Sequence, residues 1–234
     1  MQLCEAPWKR KESRLSENRN GISVEANGAP AKPFLLKGEA FVEHLTALFG
    51  GNAEVEEAET LLITLQDART GVELVLSYTI FAEEAAIARS AWFRNNGSQV
   101  VSLNRAMSLS LDMPDADFDM VQFSGWWSRE RHKLVSHLRP GIQSIGSLRG
   151  QSSHTHNPFL ILKRPNADEN QGEAIGFSLV YSGNFLAQVE VDTFNTARIM
   201  LGIHPQGFSW QLKPGEAFQT PEAVLVYSCQ GMNG

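Results

Sequence analysis

The chain has 234 residues, 42% hydrophobic and 20% charged, which is enough apolar material for a sizeable core and excludes wholesale disorder. A net charge of −6 argues against a nucleic-acid stripe: the densest basic runs, residues 9–11 and 129–133, are short, and Glu130 interrupts the second. No apolar run reaches the roughly 18 residues of a membrane span, and two cysteines, Cys4 and Cys229, make no disulfide framework, so a reducing, cytoplasmic setting is expected.

Residues 1–20 are polar and charged with no clear period, which predicts a disordered tail, a short docked helix being the alternative. They hold no apolar h-region, so no secretory signal is expected. From residue 21 onward the texture is β. Residues 40–50, "AFVEHLTALFG", place Phe41, Leu45 and Leu48 at helical spacing, and helix or strand both remain open there. The runs 60–66 and 71–81 flank "DARTG", a polar turn ending in Gly71, which predicts a hairpin. In the second run Val72, Leu74, Leu76 and Tyr78 share one face.

Residues 87–113 repeat the theme as two strands around "NNGS", where the Asn-Gly pair suits a tight turn. Trp92, inside the first of these strands, is expected as a core ring. Strands follow in "FDMVQFSG", "RERHKLVSHL", "IQSIGSLRG", "PFLILK", "AIGFSLVYSG", "LAQVEVDTF", "ARIMLGI" and "EAVLVYS". In "LKPGE", Pro214 and Gly215 hold the second and third positions of a turn. More than ten short strands and few helices predict an all-β fold of sheet packed on sheet.

Chemistry is sparse. There is no phosphate loop, no Cys-x-x-Cys and no His-Glu-x-x-His. His154 and His156 would share a face if they lay on one strand, but two histidines without a third ligand favour a hydrogen-bonding role over a metal site. A glycosidase needs two carboxyl groups across one bond. Asp115, Asp117 and Asp119 read as turn acids, and Glu190 with Asp192 as a structural or interfacial pair. No catalytic residue, no cofactor-binding residue and no metal ligand is therefore nominated.

The stretch "FSGWWSRERHK" stands apart, with Trp126 and Trp127 adjacent and followed by Arg129, Glu130, Arg131, His132 and Lys133. Successive strand residues face opposite ways. One tryptophan is therefore expected in the core and the other outside. An exposed indole beside arginine forks suits either a sugar ring or a protein interface.

The segments "SGWWSRERH", "LRPGIQSIGSLRGQSSHTHNPF", "QGEAIGFSLVYSGNFLAQVEVD" and "LKPGEAFQTPEAVLVYSCQGMNG" resemble the N-terminal domain of bacterial α-galactosidases of glycoside hydrolase family 36, from about residue 35 to the end. The resemblance implies a large two-sheet β-supersandwich of the galactose-mutarotase type with few short helices, over residues 25–234. It implies a catalytic (β/α)8 barrel expected after Gly234 and absent here, and residues 1–24 match poorly. It further implies a retaining enzyme that removes terminal α-linked galactose from oligosaccharides such as melibiose and raffinose, commonly tetrameric, with no cofactor and with both catalytic aspartates in the barrel. The family pattern Ser-Gly-Ala-Trp-x-Arg-Glu-Arg-His places Trp127 at the tryptophan that lines the substrate pocket, and Trp126 where a small residue is usual. The chain alone is accordingly expected to be inactive, with partners limited to an α-galactoside and further copies of itself, and with neither nucleic acid nor membrane. A stand-alone carbohydrate-binding module and a pure assembly domain are the competing readings.

Overall fold

The structure is a computed structural model; it describes residues 22–26, 29–30, 35–36, 41–44, 48–49, 53–54 and 58–234, with side chains from Ala58 onward. The expectation of a disordered tail over residues 1–20 lies outside the described residues. Among those described, all regular structure is strand. Residues 41–44 are a strand paired with the Ala58–Gln66 strand, so the helical reading of "AFVEHLTALFG" does not hold there.

Two antiparallel sheets pack face to face. The smaller orders its strands Gly141–Gly146, Phe185–Val191, Ala197–Ile203, Val101–Asp112, Ile22–Ala26 and Ala29–Pro30. The larger runs Arg129–His137, Asp119–Trp126, His156–Lys163, Ala174–Leu179, Ala223–Ser228, Ala86–Asn95, Val72–Phe81, Ala58–Gln66 and Leu35–Leu36. The sequence reading named neither Trp210–Leu212 nor Ala217–Gln219 as a strand; they pair with Val101–Asp112 and Ala86–Asn95.

The hairpin around "DARTG" forms as its residues dictate. Asp67 accepts hydrogen bonds from the Arg69 and Thr70 amides at 3.0 and 3.1 Å and from the Thr70 hydroxyl at 2.6 Å. Gly71 takes φ +75°, which costs a glycine little. The pairing then runs unbroken from Gln66 opposite Glu73 to Ala58 opposite Phe81. Val72 and Leu74 are buried and Leu76 packs beside them, the face that alternation marked.

"NNGS" does something else. Ala86–Asn95 belongs to the larger sheet and Val101–Asp112 to the smaller, so the loop carries the chain from one layer to the other and closes no hairpin. Gly97 is needed for close approach: a Cβ there would sit 2.1 Å from the Thr70 carbonyl oxygen. The buried Asn95 amide donates to the carbonyls of Gln99 and Leu212 at 2.7 and 2.8 Å and pins the crossing. A sheet crossing and a hairpin present the same local residues; only the distant pairings separate them.

The core lies between the layers. One cluster holds Phe118, Leu160, Leu162, Phe177, Phe185 and Leu201; another holds Val72, Leu74, Phe93, Leu103 and Leu212. Arg89, only 6% exposed, crosses the gap to donate to the Ser108 carbonyl, with its guanidinium 5.3 Å from the Tyr78 ring. Trp92 does not join this core. It is 44% exposed, while Ala91 and Phe93 on either side are fully buried. Strand alternation decides the matter: Phe93 takes the inward position, and the larger ring faces out.

Candidate functional site at the loop-bearing end of the sandwich

The antiparallel order gathers three connections at one end. Asp119–Trp126 climbs to that end and turns into Arg129–His137. Residues 147–155 arrive from Gly146 and leave into His156, and residues 180–184 join Leu179 to Phe185. Hydrogen bonds tie the three together. The Gly125 amide donates to the Thr155 carbonyl at 3.2 Å, Ser152 N–H to the Ser182 carbonyl at 2.7 Å and Gly150 N–H to the Asn184 side-chain oxygen at 2.7 Å. Arg149 Nη1 donates to Thr155 Oγ1 at 3.0 Å and braces the 147–155 loop internally, beside the Thr155 carbonyl that holds Gly125.

At the hairpin tip, Trp126 pairs with Arg129 across a two-residue turn, Trp127 and Ser128, with φ +66° at Ser128. Two residues, Glu130 and Arg131, then stand opposite Gly125, and Arg131 takes φ +57°. This is a bulge, and it closes the strands so tightly that a Cβ on Gly125 would lie 2.1 Å from the Arg129 carbonyl oxygen. The Ser128 amide donates to Glu130 Oε1 at 3.0 Å.

Neither tryptophan enters the core. Trp126 is 61% exposed and Trp127 85%. Facing opposite ways presupposes that both residues lie on a strand with core beneath it. Trp127 is instead a turn residue, and the hairpin overhangs the smaller sheet, so every residue of Arg129–His137 is exposed. The Arg129 guanidinium lies 5.4 Å from the Trp126 ring centroid. Trp127, the residue that sequence reasoning nominated for sugar contact, has no ring, ion or hydrogen-bond partner among the described residues. Arg129, Arg131 and Arg149 have no carboxylate partner among the described residues, so the tip is locally cationic on a chain of net charge −6.

The acids examined for catalysis are engaged elsewhere. Asp115 accepts from Arg164 Nη1 at 2.7 Å and caps the Asp117 amide at 2.8 Å; the Arg164 hydrogen bond chiefly holds its carboxyl below the ordinary value. Arg164 also donates to Glu173 at 2.9 Å and lies 4.0 Å from the Phe118 ring centroid. Asp119 opens a strand and accepts from His137 at 3.0 Å and Lys163 at 3.2 Å. Burial pushes its carboxyl up, but those two donors together outweigh burial and hold it low. Asp192 caps the Phe194 and Thr196 amides. Asp112 binds Arg198 through both oxygens, and the charges of Glu190 and Asp192 help to keep that guanidinium protonated.

His154 and His156 do not share a strand face, since His154 lies in the turn that the Ser153–His156 bridge closes. His156 stands opposite Ser124, which has His132 on its other side. Burial, and then the charge of Arg149, lower the His156 pKa and keep the ring neutral. Among the described residues no group of three His, Cys, Asp or Glu side chains could hold a metal. A shallow apolar pocket on the outer face of the larger sheet, formed by residues that include Phe159, Ile161, Val224, Val226 and Met232, is lined by no titratable side chain. At the hairpin tip, two exposed indoles and arginines without a carboxylate partner among the described residues thus stand together.

Comparisons with known proteins agree with this architecture. Residues 19–213 match the model of the glycosyl hydrolase family 36 N-terminal domain. Alpha-galactosidase AgaA of Geobacillus stearothermophilus is 54% identical over 179 residues, which is 76% of this chain but 25% of that protein. The crystal structure of a GH36 α-galactosidase AgaA variant from the same organism, in complex with stachyose, superposes with a TM-score of 0.86 at 46% identity, covering 91% of this chain and 30% of that one. The α-galactosidase of Lactobacillus brevis gives a TM-score of 0.85 at 44% identity, over 91% of this chain and 29% of that one. The chain spans between a quarter and a third of the length of these relatives, and it belongs to the family of glycosyl hydrolase family 36 N-terminal domains.

Proposed function

We propose that the chain is the N-terminal domain of a retaining α-galactosidase, which removes terminal α-linked galactose from oligosaccharides. In this reading it contributes Trp127 to the substrate pocket and surface to an oligomer, and it carries neither catalytic carboxylate. The observation that supports it most is Trp127 itself, an 85% exposed indole on a braced hairpin in a chain whose relatives are α-galactosidases. An indole face stacks on the C–H face of a sugar, and the arginine donors beside it reach hydroxyls. Retention needs a nucleophile and an acid/base about 5–5.5 Å apart and flanking one bond. Asp112, Asp115, Asp119 and Asp192 are instead held by arginine, lysine, histidine or backbone donors.

Self-association belongs to the same proposal. Leu134 and Val135, on opposite faces of the outermost strand, are 47% and 49% exposed. A cytoplasmic setting, expected from two cysteines that make no disulfide framework, belongs to the same proposal.

The test is an assay of the purified chain with an aryl α-galactoside. No phenol is expected above the enzyme-free blank. Turnover that persists through purification and disappears on Glu190→Gln or Asp192→Asn defeats the reading. With the chain fused ahead of a catalytic barrel, Trp127→Ala is expected to raise KM about tenfold with an unchanged melting temperature.

A further inference from the structure

We propose that Trp126, capped by Arg129, is a second sugar platform that reads the ring next to the terminal galactose and so favours longer α-galactosides. This rests on the assignment of Trp127 to the terminal ring. Two adjacent indoles, 61% and 85% exposed, stand on one hairpin tip beside Arg129 and Arg131, and exposed apolar groups rimmed by charge mark binding surfaces. The two are not equivalent. Trp127 sits in the turn without a partner among the described residues. Trp126 ends a strand directly across from Arg129, whose guanidinium lies 5.4 Å from its ring.

That cap has two consequences. It restricts the Trp126 side chain before any ligand arrives, so less conformational entropy is lost on binding. It also sets a fork of N–H donors at the edge of an aromatic face. With no carboxylate partner among the described residues, those donors are available to hydroxyls. Stacking surface and donors together are what a sugar ring requires.

The platform is held firmly, as a specificity element must be. Gly125 admits no side chain against the Arg129 carbonyl, and its amide is bound to Thr155. The two tryptophan Cα atoms are about 3.8 Å apart across one trans peptide, so both side chains leave the same hairpin tip. A protein strand is a poorer occupant. The free edge carries Arg129, Glu130, Arg131 and Lys133, the last paired with Glu169 at 2.7 Å, and charged side chains along an edge oppose strand addition.

The experiment is isothermal titration of the whole chain, fused ahead of a catalytically inactivated barrel, with galactose, melibiose, raffinose and stachyose. For the unaltered chain, affinity is expected to rise on going from one ring to two or more. Trp126→Ala is expected to abolish that rise, a loss of about tenfold for raffinose, and to leave galactose binding unchanged. Trp126→Phe restores part of the rise, and Arg129→Lys keeps charge but weakens it, with far-UV circular dichroism unchanged in each. Trp127→Ala is expected to weaken every sugar. If Trp127→Ala has that effect but Trp126→Ala weakens all sugars equally, or none, the second platform is overturned and the first stands. If the chain binds none of the four, or Trp127→Ala changes nothing, the assignment of Trp127 falls and takes the second platform with it. Loss of self-association in Trp126→Ala without loss of sugar binding assigns the ring to a contact between copies and also overturns the proposal.

Discussion

Residue by residue, exposure separates rings that look alike in the sequence. Phe93 is fully buried and Trp92 is 44% exposed. Phe93→Ala should therefore cost about 3–5 kcal/mol. Trp92→Ala, which deletes more atoms, should cost only about 1 kcal/mol. Urea midpoints of the two variants check the order, and a larger loss for Trp92→Ala would place that ring in the core after all. His156 supplies a pH dependence. Burial and then Arg149 depress its pKa from 6.5, so below pH 6.5 the unfolded chain takes up a proton that the folded chain resists. Its contribution to folding is complete above that value and falls as the pH drops towards the lowered folded pKa. Burial depresses His204 in the same direction. Stability measured from about pH 7 to about pH 5.5 should decline, and His156→Gln should flatten the decline; an unchanged slope in that variant assigns the effect elsewhere.

The hairpin of Asp119–Trp126 and Arg129–His137 is an element whose tip is fixed by backbone. Ser128 and Arg131 hold left-handed φ values within four residues of each other, and such conformations gather at binding sites. Gly125→Ala should push the strands apart and lower stability by about 2 kcal/mol or more. Ser128→Gly should be tolerated, whereas Ser128→Val should cost about 1–2 kcal/mol. Thermal melts of the three variants give the ranking, and a neutral Gly125→Ala would show that the bulge relaxes. What the sequence revealed here, and what it concealed, has a physical pattern. Asp67 and Gly71 announced their hairpin, and "LKPGE" its turn, because the side chains that make a turn lie within it. Gly215 indeed takes φ +83°. "NNGS" misled because Asn95 and Gly97 answer to Leu212 and Thr70, residues brought near only by the fold. Both tryptophans were visible, but their common exposure follows from an overhang that no local period encodes. Strand alternation also failed to mark Arg129 as the cap on Trp126, although register sets it.

At the scale of the molecule, large apolar side chains remain open on several sides: Trp127, Phe194, Ile142 and Val180 are 85%, 87%, 62% and 59% exposed. A surface of this kind seeks cover. The chain should associate with concentration, and light scattering across a dilution series checks it; a single monomeric mass at high concentration would contradict the expectation. The sheet order has a further consequence, for synthesis on the ribosome. Val101–Asp112 lies between Ile22–Ala26 and Ala197–Ile203, and Ala86–Asn95 between Val72–Phe81 and Ala223–Ser228. A nascent chain can set its early strands side by side, but neither layer is complete until the strands from Ala197–Ile203 to Ala223–Ser228 have left the exit tunnel. Until then Val101–Asp112 waits with one flank bare, so release of the polypeptide before those strands are made, or a slow patch of codons across them, should expose that flank to chaperones and to neighbouring nascent chains.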